Sequence, residues 1–348
     1  MTSGPPPTMI SVLTPIWERV LRKSPIGVNE SFFDLGGDSS LAEKLFARIR
    51  EVCGRELPVE SICRAPTIGA LATCFDRPIK APLSPLVPLN GGTEQPPVFI
   101  AHGLDGGVVK FFPLVRHIPS PHPIYGIQAK GFHCEQVLNR IEDMVPPYLD
   151  AIQKVQQYGP YLLIGYSFGG LVMLEIAQRL LATGEKVALL AMLDSYPHLR
   201  HLSPAERARV IALRVKGHLS EITQSSPRDA LSYVIRRWQH RSRSSKAQGD
   251  SKPPSPMDMS PTLLAQFVEG QTDLALSRYR PKFYPGKITF LQSETESYFP
   301  VNPRAVWAHL ASEFECETVP GDHQGMLTTH FDRLGAVLSR YLREASSE

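Results

Sequence analysis

The sequence lacks paired cysteines and long apolar runs. Its 348 residues include 5 cysteines, an odd number with no C-x-x-C pair, a pattern typical of reduced thiols rather than of disulfides or a zinc site. No stretch approaches the roughly 20 apolar residues that a membrane span needs. The amino terminus also has no apolar run after a basic segment, as a signal peptide would have. We therefore expect a cytoplasmic protein without a membrane span or a bound metal.

A strong excess of charge of one sign is also missing. The net charge is only +3, with 42% hydrophobic and 20% charged residues, which is typical of a globular protein and does not suggest a partner nucleic acid. The length is sufficient for two domains. Prolines, by contrast, are plentiful at 32, and they divide the chain into segments.

The first domain is predicted to be helical. Residues 1–7 form a Pro-rich leader that we expect to be disordered, and residues 77–84 form a Pro-rich linker. Between them, residues 8–76 carry no strand pattern. Their apolar residues recur at helical spacing, as in Leu13, Ile16, Trp17, Val20 and Leu21. The pattern predicts a small all-α bundle.

Residues 85–345 change to alternating strands and helices. Short apolar runs (VFIA, IYGI, YLLI, VALLAML and KITFL) are separated by helical stretches, which predicts a mostly parallel α/β sheet. Residues 196–280 interrupt this alternation with 14 Lys and Arg against 7 Asp and Glu. We expect this basic, helical insertion to be a lid.

The helical domain contains a candidate modification site. Residues Leu35 to Ser39 read LGGDS, a tight turn that leads into a helix whose cap is Asp38 or Ser39. A serine hydroxyl at a helix N-terminus is exposed, and the helix dipole favours a phosphodiester attached to it. GGDS alone, however, more often marks an ordinary turn and helix cap.

The surrounding motifs add a resemblance. IWERVL, FFDLGGDS and APTI together make residues 10–75 similar to the carrier (thiolation) domains of nonribosomal peptide and polyketide synthetases. This resemblance implies a four-helix bundle in which Ser39 receives a 4′-phosphopantetheine arm from a phosphopantetheinyl transferase. One feature departs from the family, because residues 8–77 hold nine basic and nine acidic residues, whereas carriers are often acidic.

The second domain contains a candidate nucleophile. The motif GYSFGG follows the apolar run YLLI and precedes a helical stretch, which is the context of a G-x-S-x-G nucleophile elbow. Gly165 and Gly169, two positions on either side of Ser167, are small because such a turn is strained and its helix packs closely on the sheet. The pattern predicts that the Ser167 hydroxyl projects at the carboxyl edge of the sheet.

A serine nucleophile needs a base and an acid that orients the base. His323 is the candidate base because it alone combines a late position with a Gly-containing turn, PGDH. Asp194, at the end of VALLAML, is the favoured acid, since Ser, Asp and His then follow the chain order of α/β-hydrolases. Glu294 and Glu296 after the next strand are rivals, and Asp322 is too close to the histidine to orient it.

An oxyanion hole is expected from two backbone amides. In α/β-hydrolases one belongs to the residue after the nucleophile and the other to a loop after an early strand. These residues are Phe168 and Leu104. We expect nearby His102 to hold the loop and to transfer no proton.

Residues 85–345 as a whole resemble type I thioesterase domains, on the stretches SPLVPLN, PPVFIAHG, IYGIQAKG, GPYLLIGYSFGG, AMLDS and GDHQGML. The resemblance implies an α/β-hydrolase with a lid and supports Asp194 as the acid. Together the two halves resemble the carrier–thioesterase end of a nonribosomal peptide synthetase or synthetase-like enzyme. That implies upstream loading domains and an acyl substrate on the pantetheine arm, which Ser167 takes and releases in secondary metabolism.

Several alternatives stay open. Release by hydrolysis, by cyclisation or by condensation with a second acyl unit fits the sequence equally, and the last includes joining two aryl α-keto acid units in a fungal synthetase-like enzyme. A free-standing esterase with a helical interaction domain would use Ser39 only as a helix cap. A non-catalytic module would bind an acylated carrier without cleaving it. Within the lid, Arg236 and Arg237 are candidates for binding the phosphate of the arm.

Overall fold

The computed structural model describes residues 8–55, 57, 59, 61–76, 84–94, 96–129, 138–212, 261–295 and 302–347. The predicted leader at 1–7, nearly all of the linker at 77–84 and Cys134 lie outside these ranges. The amino-terminal domain contains the four expected helices, α1 (Met9–Leu21), α2 (Ser39–Cys53), α3 (Ser61–Arg64) and α4 (Ile68–Asp76).

Aromatic packing joins the turn before α2 to the helices. The Phe32 ring lies edge-on to that of the fully buried Trp17 in α1, with ring centroids 5.4 Å apart. Gly36 has a φ of +91°, which favours glycine, and a Cβ at Gly37 would overlap the Phe32 ring. The two glycines of FFDLGGDS therefore allow the turn to close tightly over Phe32 and to present the start of α2.

The second domain is built on one sheet. Its elements are, in chain order, β1 (Leu86–Pro88), β2 (Val98–Ala101), α5 (Phe111–Val115), β3 (Ile124–Ile127), α6 (Ile141–Val155), β4 (Tyr161–Tyr166), α7 (Phe168–Ala182), β5 (Val187–Leu193), α8 (Pro261–Arg278), β6 (Tyr284–Ser293), α9 (Pro303–Trp307), β7 (Ala311–Val319), α10 (Gly325–Thr328) and α11 (Phe331–Ser347). In the described chain the strands run in the order β1-β3-β2-β4-β5-β6-β7. Every pairing is parallel except that of β1 with β3.

This topology agrees with the predicted, mostly parallel sheet, whose five apolar runs correspond to β2 to β6. The sequence analysis missed β1 and β7, which lie at the two edges of the sheet. Strand β1 is only three residues long. Strand β7 reads ASEFECETV and is largely half-buried or exposed, so it has no apolar run to reveal it. The central strand β4 is buried along its whole length, and its carboxyl end leads into Ser167.

Only the two ends of the predicted lid are described. Residues 204–212 form one helix, and α8 forms the other end before the chain enters β6. The middle of the insertion, including Arg236 and Arg237, lies outside the described residues. In the part of the chain that the structure describes, no helix is both long and apolar enough to cross a membrane.

Candidate active site and carrier site

The turn between β4 and α7 positions Ser167. Its φ of +55° is in the left-handed region, which is strained for a serine. A Cβ at Gly169 would overlap the carbonyl groups of Ala101 and His102, and one at Gly170 would overlap the Ser195 side chain. Glycine is therefore required for α7 to approach the neighbouring strands, and the close approach holds the turn in its strained form.

Three candidate catalytic side chains meet at this turn. His323 Nε2 lies 3.1 Å from Ser167 Oγ, and His323 Nδ1 lies 2.7 Å from Asp194 Oδ2. Because a carboxylate accepts, Nδ1 carries the proton and Nε2 is left to accept one from the serine hydroxyl. The arrangement is that of a nucleophile, a general base and a carboxylate that orients the base.

The surroundings of the acid distinguish Asp194 from its rivals. Asp194 is buried, and its Oδ2 also accepts a hydrogen bond from Ser293 Oγ at 3.0 Å. Glu294 is exposed, and Glu296 lies outside the described residues. Asp322 Oδ1 instead accepts from the Gly325 amide at 2.6 Å. Asp194 thus combines burial with a direct hydrogen bond to His323.

Tyr166 and Ser293 also belong to the site, although sequence reasoning passed over both. The Tyr166 hydroxyl donates to the His323 carbonyl at 2.8 Å, and the two rings stack with centroids 5.0 Å apart. Tyr166 is the variable residue before the nucleophile in GYSFGG, so the motif marks its position but not its contact. Ser293 is the last residue of β6, and β6 pairs with β5, the strand that Asp194 follows.

The predicted oxyanion donors lie on two elements that flank Ser167. Phe168 is the first residue of α7, and Leu104 follows β2 in the loop Gly103–Gly106. Neither amide has a hydrogen-bond acceptor among the residues that the structure describes. Both amides are thus available to an oxyanion.

The His102 ring holds the loop that contains Leu104, which is the role expected from the sequence. It is fully buried, its Nδ1 donates to the Gly103 carbonyl at 2.6 Å, and its Nε2 accepts from the Tyr148 hydroxyl at 3.1 Å. Burial lowers the pKa of His102 to about 4, and the hydrogen bond to the Gly103 carbonyl opposes this shift. The ring is therefore neutral at neutral pH and has a fixed tautomer.

This pKa predicts a loss of stability in acid. An unfolded histidine has a pKa of about 6.5, so between that value and about 4 the unfolded chain binds the extra proton. The His102 contribution is complete above pH 6.5 and is lost as pH falls towards 4, by ~2 kcal/mol between pH 7.5 and 5. Urea unfolding at these two pH values should reveal this fall, and His102→Gln should reduce it.

The control for that measurement is His117→Gln, because His117 is an exposed histidine of the same domain. It should keep the acid-dependent fall. An equal fall in the wild-type chain and in His102→Gln would contradict a buried, neutral His102.

Ser39 is the first residue of α2, and Asp38 is the cap. Asp38 Oδ1 accepts from the Leu41 amide at 2.8 Å, so the Ser39 hydroxyl is not needed to cap the helix. Ser39 is half-buried and faces a cavity of 320 Å³. The cavity lies between the domains, and the hydrolase side contributes Lys110, Phe112, Pro113, Arg116, His117, Leu327, Thr328 and Phe331.

Two contacts hold the carrier against α5 beside this cavity. The Phe33 and Phe112 rings stack with centroids 3.5 Å apart and an angle of 3° between their planes. Arg116 pairs with Asp34 at 3.1 Å. The stacked rings bury apolar surface, whereas the exposed ion pair contributes little stability.

The cavity fits a phosphodiester with a flexible arm. It joins the positive end of α2 to the side chains of Lys110 and Arg116, and cationic groups of this kind bind phosphate. Lys110 Nζ also lies 5.0 Å above the Tyr166 ring, so the cavity reaches towards the residue that contacts His323. Among the described residues, no cluster of His, Cys, Asp or Glu is arranged to bind a metal, and Cys53, Cys74 and Cys316 are free thiols.

Comparison with known proteins matches both halves of the chain. The family model of the thioesterase domain matches residues 96–344, and that of the phosphopantetheine attachment site matches residues 11–75. A dimodular nonribosomal peptide synthase of Bacillus subtilis (strain 168) is 29% identical over 98% of this chain and 14% of its own length. A protein of Paxillus involutus named inactive atromentin synthetase invA4 is 32% identical over 51% of this chain and 20% of its own length.

A solved structure supports the fold over nearly the whole chain. The crystal structure of a holo four-domain nonribosomal peptide synthetase, bound to AMP and glycine, matches with a TM-score of 0.57 and 22% identity. The match covers 98% of this chain and 27% of that one. The chain thus corresponds to a small part of the length of each of these synthetases.

Proposed function

The chain belongs to the thioesterase domain family and carries a phosphopantetheine carrier domain before that domain, and from this premise we propose that it releases an acyl group carried on Ser39 by passing it to Ser167. The observation that carries the proposal is the hydrogen-bonded series Ser167–His323–Asp194. We assign residues 8–76 to the carrier, 77–84 to the linker, 85–345 to the thioesterase and about 196–280 to its lid. Upstream synthetase domains and a phosphopantetheinyl transferase are the expected partners.

In the proposed mechanism, the arm on Ser39 supplies the acyl group as a thioester. His323 Nε2 takes the proton of Ser167 Oγ as that oxygen bonds to the acyl carbonyl carbon, and Asp194 stabilises the imidazolium. The oxyanion accepts hydrogen bonds from the Leu104 and Phe168 amides. The carbon–sulfur bond then breaks, and His323 returns its proton to the leaving sulfur.

The second half releases the acyl group from Ser167. His323 deprotonates the incoming nucleophile, which bonds to the carbonyl carbon while the bond to Ser167 Oγ breaks, and the proton returns to Ser167. Water, an internal amine or hydroxyl, or a second acyl unit would give a free acid, a ring or a dimer. Condensation of two aryl α-keto acid units is one form of the last outcome. Mass spectrometry of the product separates these outcomes.

The docked carrier suggests which residues hold the arm. The cations that share a cavity with Ser39 are Lys110 and Arg116 of the thioesterase domain. We assign the phosphate of the arm to this cavity rather than to Arg236 and Arg237, which lie outside the described residues. Lys110 is paired with Asp105 at 2.7 Å, so phosphate binding would compete with this carboxylate.

The docking contact provides an experimental test of the proposal. Removing the ring in Phe112→Ala should slow acyl loss from the loaded carrier, relative to hydrolysis of soluble p-nitrophenyl butyrate by the same variant. We expect the ratio to fall about two- to tenfold, since an aromatic pair contributes about 0.5–1.5 kcal/mol. Phe283→Ala is the matched control because Phe283 is an exposed phenylalanine of the same domain. An unchanged ratio in Phe112→Ala would count against transfer from the docked carrier.

A further inference from the structure

A hydrogen bond links the lid to the oxyanion loop. Thr272 lies on α8 and is 1% exposed. Its hydroxyl donates to the Leu104 carbonyl, with the two oxygens 2.5 Å apart. Leu104 is separated from Thr272 by 168 positions in the sequence. The contact therefore joins two elements that only the fold brings together.

The Thr272 hydroxyl has two further acceptors within α8. The Thr272 hydroxyl also lies 2.9 Å from the Glu269 carbonyl and 3.1 Å from the Val268 carbonyl, both within its own helix. Threonines in helices commonly form such local bonds. The shorter distance to Leu104 shows that the hydroxyl is directed at the loop rather than only at its own helix.

The bond holds the second of the two peptide groups that flank the Leu104 Cα. On the preceding side, the Gly103 carbonyl accepts from His102 Nδ1 at 2.6 Å and from the Gly106 amide at 3.1 Å. On the following side, the Leu104 carbonyl accepts from Thr272. Because the peptide groups on both sides of the Leu104 Cα are held, the direction of its N–H is fixed. His102 and Gly106 belong to the hydrolase body, whereas Thr272 belongs to the lid.

We propose that Thr272 is a positioning residue through which the lid sets the oxyanion hole. The proposal rests on the proposed function, in which the Leu104 amide stabilises the oxyanion. With α8 on the loop, the amide points at the reacting carbonyl. When α8 moves away, the loop loses the hydrogen bond on its Leu104 side. The position of α8 thereby affects the chemical step.

The test compares variants that keep or lose the Thr272 hydroxyl, using the full chain and p-nitrophenyl butyrate. Removing an oxyanion donor costs about 10²–10³ in kcat, so misdirecting one in Thr272→Val should lower kcat about 10- to 100-fold, with KM within threefold. The inhibition constant of butylboronic acid, which forms a tetrahedral adduct with a catalytic serine, should rise by a similar factor. Thr272→Ser, which retains the hydroxyl, should restore both values to within about threefold of wild type.

Two further variants provide the controls. Ser277→Ala removes a hydroxyl of the same helix that bonds only to the Leu274 carbonyl among the described residues, and it should leave kcat unchanged. Thr272→Ala repeats the test without an apolar group against the Leu104 carbonyl, in case Thr272→Val fails to fold. The proposal is overturned if both hydroxyl-free variants keep wild-type kcat and boronate affinity, or if Thr272→Ser loses as much as they do. Failure of the proposed function is separate, because the acyl group on Ser39 would then stay in place in the wild-type chain even where p-nitrophenyl butyrate is hydrolysed.

Discussion

Replacing Ser167 with alanine should reduce acyl release by about 10⁴-fold or more, because residues of a catalytic triad act as a unit and the remaining groups cannot replace the nucleophile. The variant should still accept the pantetheine arm on Ser39 and hold its acyl group. Intact-mass spectrometry of the loaded chain measures the first-order loss of that group. Release at the wild-type rate would show that Ser167 is not the nucleophile.

The same assay separates the two candidate acids. Asp194→Asn should lower release by about 10⁴-fold, since an amide in place of the carboxylate favours the wrong histidine tautomer. Glu294→Gln is the matched control, because it makes the same chemical change on an exposed side chain in the next loop. The assignment of Asp194 fails if the two variants have equal activity.

Replacing Ser39 with alanine should abolish attachment of the arm. Treatment with a phosphopantetheinyl transferase and coenzyme A should add the mass of one phosphopantetheine to the wild-type chain and none to Ser39→Ala. Without the arm, transfer from the carrier is lost completely. Hydrolysis of p-nitrophenyl butyrate should be retained, because Ser167 and His323 are unchanged.

The neighbouring serine supplies the control. Ser40→Ala changes an exposed hydroxyl one residue further along α2 and should gain the full mass. No gain in the wild-type chain would favour an esterase whose helical domain serves another purpose. Equal gain in wild type and Ser39→Ala would place the arm on another residue.

Features that depend on neighbouring residues could be predicted from the sequence. The elbow at Ser167 needs a buried strand, a strained turn and glycines at the start of the next helix, and all three are adjacent in YLLIGYSFGG. The turn before Ser39 is equally local, because FFDLGGDS supplies both the glycines and the Phe32 ring over which they close. Strand β5 agrees with its apolar run residue for residue.

Features that depend on distant contacts could not be predicted in this way. Strand β7 carries Glu313, Glu315 and Glu317 at an edge of the sheet, and such a strand has no apolar run. The choice between Asp194 and Glu294 follows from which carboxylate faces His323, a contact that spans 129 positions. The Thr272–Leu104 bond has no local signature, since a threonine within a helix usually bonds to its own backbone.

The central claim is that one acyl group passes from Ser39 to Ser167, and rapid-quench peptide mapping tests it most directly. The holo chain is loaded with an isotopically labelled acyl group, quenched in acid at intervals and digested, and label is measured on the peptides that contain each serine. The claim predicts label on the Ser39 peptide first, then on the Ser167 peptide, and then in the product, while in Ser167→Ala it stays on the Ser39 peptide. Two results together would contradict the claim. Product would form in Ser167→Ala at the wild-type rate, and the Ser167 peptide of the wild-type chain would carry no label at any time.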